Sequence, residues 1–148
     1  MKNLILSVAL MLMSFSANSQ FVYRNVIDDF DGDYKISYSE DGYGNLLKLE
    51  NLRGSIVMYI TGTLICDEEP IADLIFYVNE EKFTYSLKCS LSSDSKTIFI
   101  IDDLEKSVVF KYFLKANKLI VRVNQDSCEN EYFMFSLGNS TKAFNFMK

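Results

Sequence analysis

The densest run of potential metal ligands is Asp29-Phe30-Asp31-Gly32-Asp33-Tyr34-Lys35-Ile36-Ser37-Tyr38-Ser39-Glu40. Counted as a twelve-residue calcium loop, it places side-chain oxygens at positions 1, 3, 5, 9 and 12 and an isoleucine at 8. A hard cation needs six or more oxygens, and this spacing wraps the chain around one. Asp29, Asp31, Asp33 and Glu40 are therefore the candidate calcium ligands. Two features depart from the pattern. Position 6 needs a glycine for a sharp turn and holds Tyr34. The flanks are a short β-like run before and Asp41-Gly42-Tyr43-Gly44 after, where helices are required. The simpler reading is an Asp/Gly turn feeding a strand over 35–39.

Other groups offer less. Asp67-Glu68-Glu69 precede Pro70. Paired carboxylates do acid–base work only when burial raises one pKa, so three adjacent acids before a proline read as a solvated turn. Asp102 and Asp103 read as a helix cap. Arg122 lies mid-strand, opposite Val121 and Val123, and reads as a paired charge on a sheet face ahead of an anion contact. The chain has no histidine. That excludes Ser-His-Asp and Cys-His nucleophiles and His-liganded zinc. No catalytic residue is assigned.

The first twenty residues carry one charge, Lys2, followed by an apolar run over 4–15 and then Ser16-Ala17-Asn18-Ser19-Gln20. This is the layout of a signal peptide cleaved after Ser19. The apolar run is shorter than the ~20 residues that span a bilayer, so no membrane anchor is expected after cleavage. Residues 1–19 are the expected signal and 20–148 a single β-rich domain in the periplasm or outside the cell. The net charge is −5, and loss of Lys2 makes it one unit more negative. That argues against nucleic acid, which is bound through Lys and Arg.

Export sets the redox compartment. Of Cys66, Cys89 and Cys128, two are expected to pair. Three pairings are possible. Cys66–Cys128 is preferred, because each follows a strand-like run beside acidic turn residues. Closing that loop of about 60 residues stabilises by ~4 kcal/mol in the chain-entropy model. Cys89 then reads as a buried apolar residue, or as a thiol activated by Lys88.

Short alternating runs predict strands over 21–26, 34–39, 45–50, 55–60, 71–78, 83–87, 97–101, 118–124 and 132–137, joined by brief polar turns. Leu47 and Leu49 should face opposite to Lys48 and Glu50. Leu104, Val108 and Tyr112, spaced i, i+4, i+8, predict one helix from Asp102 or Asp103 to Lys115; a strand over 108–114 competes. Residues 138–141, which hold the glycosylation-type triplet Asn139-Ser140-Thr141, should cap a terminal helix over 142–147. The fold class is mainly β: an antiparallel sandwich or flattened barrel with one or two short helices near the C-terminus. The aromatics read as core and cross-strand pairs.

Residues 131–144, Glu-Tyr-Phe-Met-Phe-Ser-Leu-Gly-Asn-Ser-Thr-Lys-Ala-Phe, form a strand-then-helix ending. With the preceding strand Leu119-Ile120-Val121-Arg122-Val123 and with Asp28-Asp29-Phe30-Asp31-Gly32, this resembles small exported bacterial domains of the invasion-associated locus B type. The chain lacks the extra N-terminal cysteine pair of that group. The resemblance implies a periplasmic β-sandwich with one disulfide, and it transfers no catalytic residue. The expected function is a non-enzymatic accessory or interaction domain binding a protein or ligand in the cell envelope. The alternative is a calcium-binding or carboxylate-dependent hydrolase using the 29–40 loop.

Overall fold

Alternation along the chain becomes two sheet faces. In the computed structural model, which describes residues 21–27, 34–62, 71–88, 90–91, 97–124 and 131–148, Leu47 and Leu49 are fully buried. Lys48 and Glu50, between and beyond them, pair at 2.9 Å on the other side of the same strand.

The elements run in chain order as β1 (Val22–Val26), β2 (Tyr34–Glu40), β3 (Leu46–Leu52), β4 (Ser55–Gly62), β5 (Ile71–Val78), β6 (Glu81–Lys88), β7 (Ser90–Leu91) and β8 (Thr97–Ile101). A 3-10 turn (Leu104–Lys106), helix α1 (Phe110–Lys115), β9 (Lys118–Asn124), β10 (Glu131–Ser136) and helix α2 (Ser140–Met147) complete it. Two antiparallel sheets result, ordered β1-β2-β3-β4-β8-β7 and β10-β9-β5-β6. They face each other as a sandwich and do not close into a barrel.

Local chemistry sets the turns. Asp41 closes the β2–β3 loop by accepting from the backbone N–H of Tyr43 (2.8 Å) and Asn45 (3.1 Å) and from Asn45 Nδ2 (2.6 Å). Between β3 and β4 a two-residue turn holds Arg53 and Gly54 at φ 53° and 92°, which suits the strand twist. The strand reaches Leu52, so the expected turn over 51–54 is two residues shorter.

The inner face of the first sheet carries Phe21, Leu47, Leu49, Ile56, Met58, Ile60, Phe99 and Ile101; that of the second carries Leu74, Phe76, Leu119, Val121, Phe133 and Phe135. The helices fill the space between. Phe113 of α1 meets Phe21 edge-on at 6.3 Å. Helix α2 lies on β2 and β3, where Asn51 Nδ2 donates to the Met147 carbonyl at 2.8 Å.

One helix was expected from Asp102 or Asp103 to Lys115, and the chain breaks it. Asp103 caps only the 3-10 turn, accepting from the Lys106 N–H and holding Lys106 Nζ at 2.8 Å. Ser107 then turns extended (φ −71°, ψ 148°), and its Oγ accepts from the Val109 N–H at 3.2 Å. The helical phase restarts there. Leu104, Val109 and Phe113 are buried, while Val108 is 60% exposed. The competing strand over 108–114 is not formed. Helix α2 also begins earlier than expected, at Ser140. Asn139 stands at its N-cap position without a side-chain capping bond. Instead Ser140 Oγ and Thr141 Oγ1 donate to the carbonyls of Phe113 and Leu114, tying α2 to the end of α1.

On the outer face of the first sheet, Val22, Tyr38, Lys48, Tyr59 and Ile100 form one cross-strand row. Lys48 lies over the Tyr59 ring at 4.7 Å and Arg24 over Tyr38 at 5.4 Å. Burial first, then the nearby carboxylates of Glu50 and Asp102, raise the Tyr59 pKa above the phenol value of 10.0. Burial raises the Tyr23 phenol as well, so an absorbance titration of phenolate should show a component above pH 10 that loses one tyrosine's amplitude in Tyr59→Phe. The linked stability effect has a fixed sign. Above pH 10 the unfolded chain ionises this phenol first, so its contribution to stability is complete below 10 and is lost as pH rises through the folded pKa. A Tyr59→Phe profile identical to wild type would contradict this.

Candidate functional site

Glu40, the last expected calcium ligand, is exposed at the end of β2. Asp29, Asp31 and Asp33 lie outside the described residues, as do Cys66, Cys89, Cys128 and the acidic residues 67–69. Among the described residues no group of three or more His, Cys, Asp or Glu could hold a metal ion. Among them, too, no helix is long and apolar enough to cross a membrane.

Arg122 takes the paired role. Its Nη2 donates to Asp73 Oδ2 at 2.6 Å, across β9 and β5, and Ser86 Oγ donates to Asp73 Oδ1 at 2.7 Å from β6. Tyr132 on β10 completes this row on the outer face of the second sheet. The hydrogen bond and charge of Asp73 raise the Arg122 pKa further, so the guanidinium stays charged at every working pH. Both carboxylate oxygens are engaged by neighbours and the row is self-satisfied at Asp73. This is a cross-strand clamp, in keeping with the sequence reading.

A different place gathers unsatisfied charge. Where the β5–β6 hairpin meets α1, a groove of about 330 Å³ opens between Val78, Phe83 and Tyr112 on its floor and Lys82, Lys111, Lys115 and Glu81 on its rim. Each part has a local cause. The hairpin turns in two residues, with Asn79 at φ 57°, a left-handed position that asparagine tolerates better than most residues. That turn brings Lys82 and Phe83 next to Val78. On α1, Lys111 and Lys115 are four residues apart and share one helical face. Phe113 points the other way into the core and fixes which face that is. Phe83 and Tyr112 then stack with ring centroids 3.7 Å apart and planes 6° from parallel. Lys111 Nζ sits 4.8 Å from the Tyr112 ring centre.

The electrostatics are local. Lys48, Lys106, Lys148 and Arg122 each hold a carboxylate at 3.0 Å or closer. Lys82, Lys111 and Lys115 hold none among the described residues, and Glu81 is the one acid on the rim. The groove is therefore a positive spot on an acidic chain. At physiological salt, charges more than about 8 Å away are largely screened, so a bound anion responds to this rim more than to the net charge.

Sequence reasoning did not find this groove. The i, i+4 lysines of α1 were visible, but their meeting with Lys82 depends on the long-range contact of Phe83 with Tyr112. Comparison of the chain with protein-family models, with curated proteins and with solved structures finds no match.

Proposed function

We propose that this chain is an exported, non-enzymatic binding domain that holds an anionic ligand in the groove between the β5–β6 hairpin and α1. The observation that carries the reading is the rim of three ammonium groups, without carboxylate partners among the described residues, around a stacked aromatic floor. The floor removes apolar surface from water while the rim supplies charge, the usual division of labour in a ligand site. The leader-like residues 1–19 support a place in the cell envelope, with the mature chain starting at Gln20.

The test uses hexaglutamate as a probe, titrated calorimetrically into the full mature chain. Exposed charge pairs contribute roughly 0.2–1 kcal/mol each. Reversing all three charges (Lys82→Glu, Lys111→Glu, Lys115→Glu) should therefore cost about 0.6–3 kcal/mol and weaken binding by roughly 3–150-fold at ~1.4 kcal/mol per decade. The melting temperature should hold, because all three side chains are exposed. Undetectable binding to wild type, or equal affinity in the triple variant, would refute the reading.

A further inference from the structure

The groove runs along the edge of a sheet. β6 ends the order β10-β9-β5-β6, and among the described residues no strand pairs with its outer side. The hairpin register settles which backbone groups are open. Val78 opposes Glu81 across the two-residue turn, so this pair exchanges hydrogen bonds, and bonded pairs then alternate along the ladder. Glu81, Phe83, Tyr85 and Leu87 bond to β5. Lys82, Thr84, Ser86 and Lys88 direct their N–H and C=O groups outward.

From these positions we infer that the ligand is an extended acidic peptide that adds to the second sheet as a new strand along β6. The inference rests on the reading that the groove binds anions and names what kind of anion fits it. An added strand alternates its side chains between the two sheet faces. Those on the inner side reach the Phe83–Tyr112 floor and the ammonium groups of Lys111 and Lys115. Those on the outer side pass Lys82 and Lys88. Acidic side chains therefore meet lysines on both faces, while the backbone satisfies four open edge residues, as in other strand-addition complexes. The same lysines select against a second copy of this chain. Pairing β6 with β6 would place Lys82 and Lys88 of each copy against those of the other, the like-charge device that keeps native edges from self-association.

The test compares hexaglutamate with two forms of it, one N-methylated on alternate residues and one on every residue, using the full mature chain. Alternate methylation blocks one edge of the peptide, and a peptide of identical residues can slide by one position to present its free edge; full methylation blocks both edges at unchanged charge. The fully methylated form should lose at least tenfold in affinity and the alternate form should bind within about threefold of the parent. Equal affinity of the two forms, whether kept or lost together, overturns strand addition and leaves the anion groove standing if the parent binds. Absence of any binding by the parent sinks both. A second variant checks the protein side. Thr84→Pro removes one outward N–H without touching a bond to β5, a placement edge strands tolerate. It should weaken the parent peptide at least tenfold, with Thr84→Ala unchanged; full affinity in a folded Thr84→Pro chain overturns the proposal.

Discussion

Replacing Gly62 by valine is expected to destabilise the domain by about 2 kcal/mol, although valine is the better strand former. Two effects compete. Strand propensity spans ~1 kcal/mol between good and poor residues and favours valine. Packing opposes it. A Cβ built on Gly62 would press against Cζ of Phe133 and stand 2.5 Å from its Cε2. Phe133 is 1% exposed and belongs to the facing sheet, so its ring has no free space to enter. Overpacking of this kind costs roughly 1–3 kcal/mol and occasionally more, so the steric penalty outweighs the gain in propensity. Urea denaturation should show a lower midpoint at unchanged slope. Phe133→Leu introduced with Gly62→Val should recover part of the loss, a coupling that marks direct contact. Gly138→Val is the control, since the nearest atom to its Cβ is Ser136 Oγ at 3.9 Å. A stabilised Gly62→Val chain would show that the two sheets do not approach as described.

Phe113→Ala carries the larger effect, about 3–5 kcal/mol. The side chain is fully buried, touches Phe21 edge-on and lies where α1, α2 and the first strand converge. Total stability for a single domain is ~5–15 kcal/mol, so this one change removes a large share of it. Val108→Ala, five residues earlier in the chain, should shift stability by no more than ~0.5 kcal/mol, because that side chain is mostly exposed. A helix unbroken from 103 to 115, with Val108 on its buried stripe, would give a cost of ~1 kcal/mol or more at Val108 instead. Equilibrium unfolding of the two variants separates these outcomes.

That contrast shows what the residues reveal on their own. Strands were legible because period-two alternation and short polar turns are local. β5, β8 and β9 match their expected bounds, and Val121 and Val123 are buried on the face opposite Arg122, as read. The helical segment misled because Leu104, Val108 and Tyr112 do keep a helical spacing. The interruption at Ser107 resets that phase, and its sign was a serine hydroxyl inside an apolar pattern, which accepts from the backbone N–H of Val109 two residues on. Arg122 was read correctly as paired, since a mid-strand guanidinium needs a partner, but Asp73 as that partner depends on register between β5 and β9. The groove was illegible for the same reason. Its floor joins residues 83 and 112 and its rim residues 82, 111 and 115, and no periodicity within one element encodes such a meeting.

The anion groove is tested most directly by mapping amide shifts of isotopically labelled residues 20–148 during addition of hexaglutamate. Binding in the groove should give saturable changes concentrated on residues 81–88 and 110–115, weakening as salt is raised. Changes centred on the Tyr38–Lys48–Tyr59 face of the other sheet, or no changes at all, would contradict it.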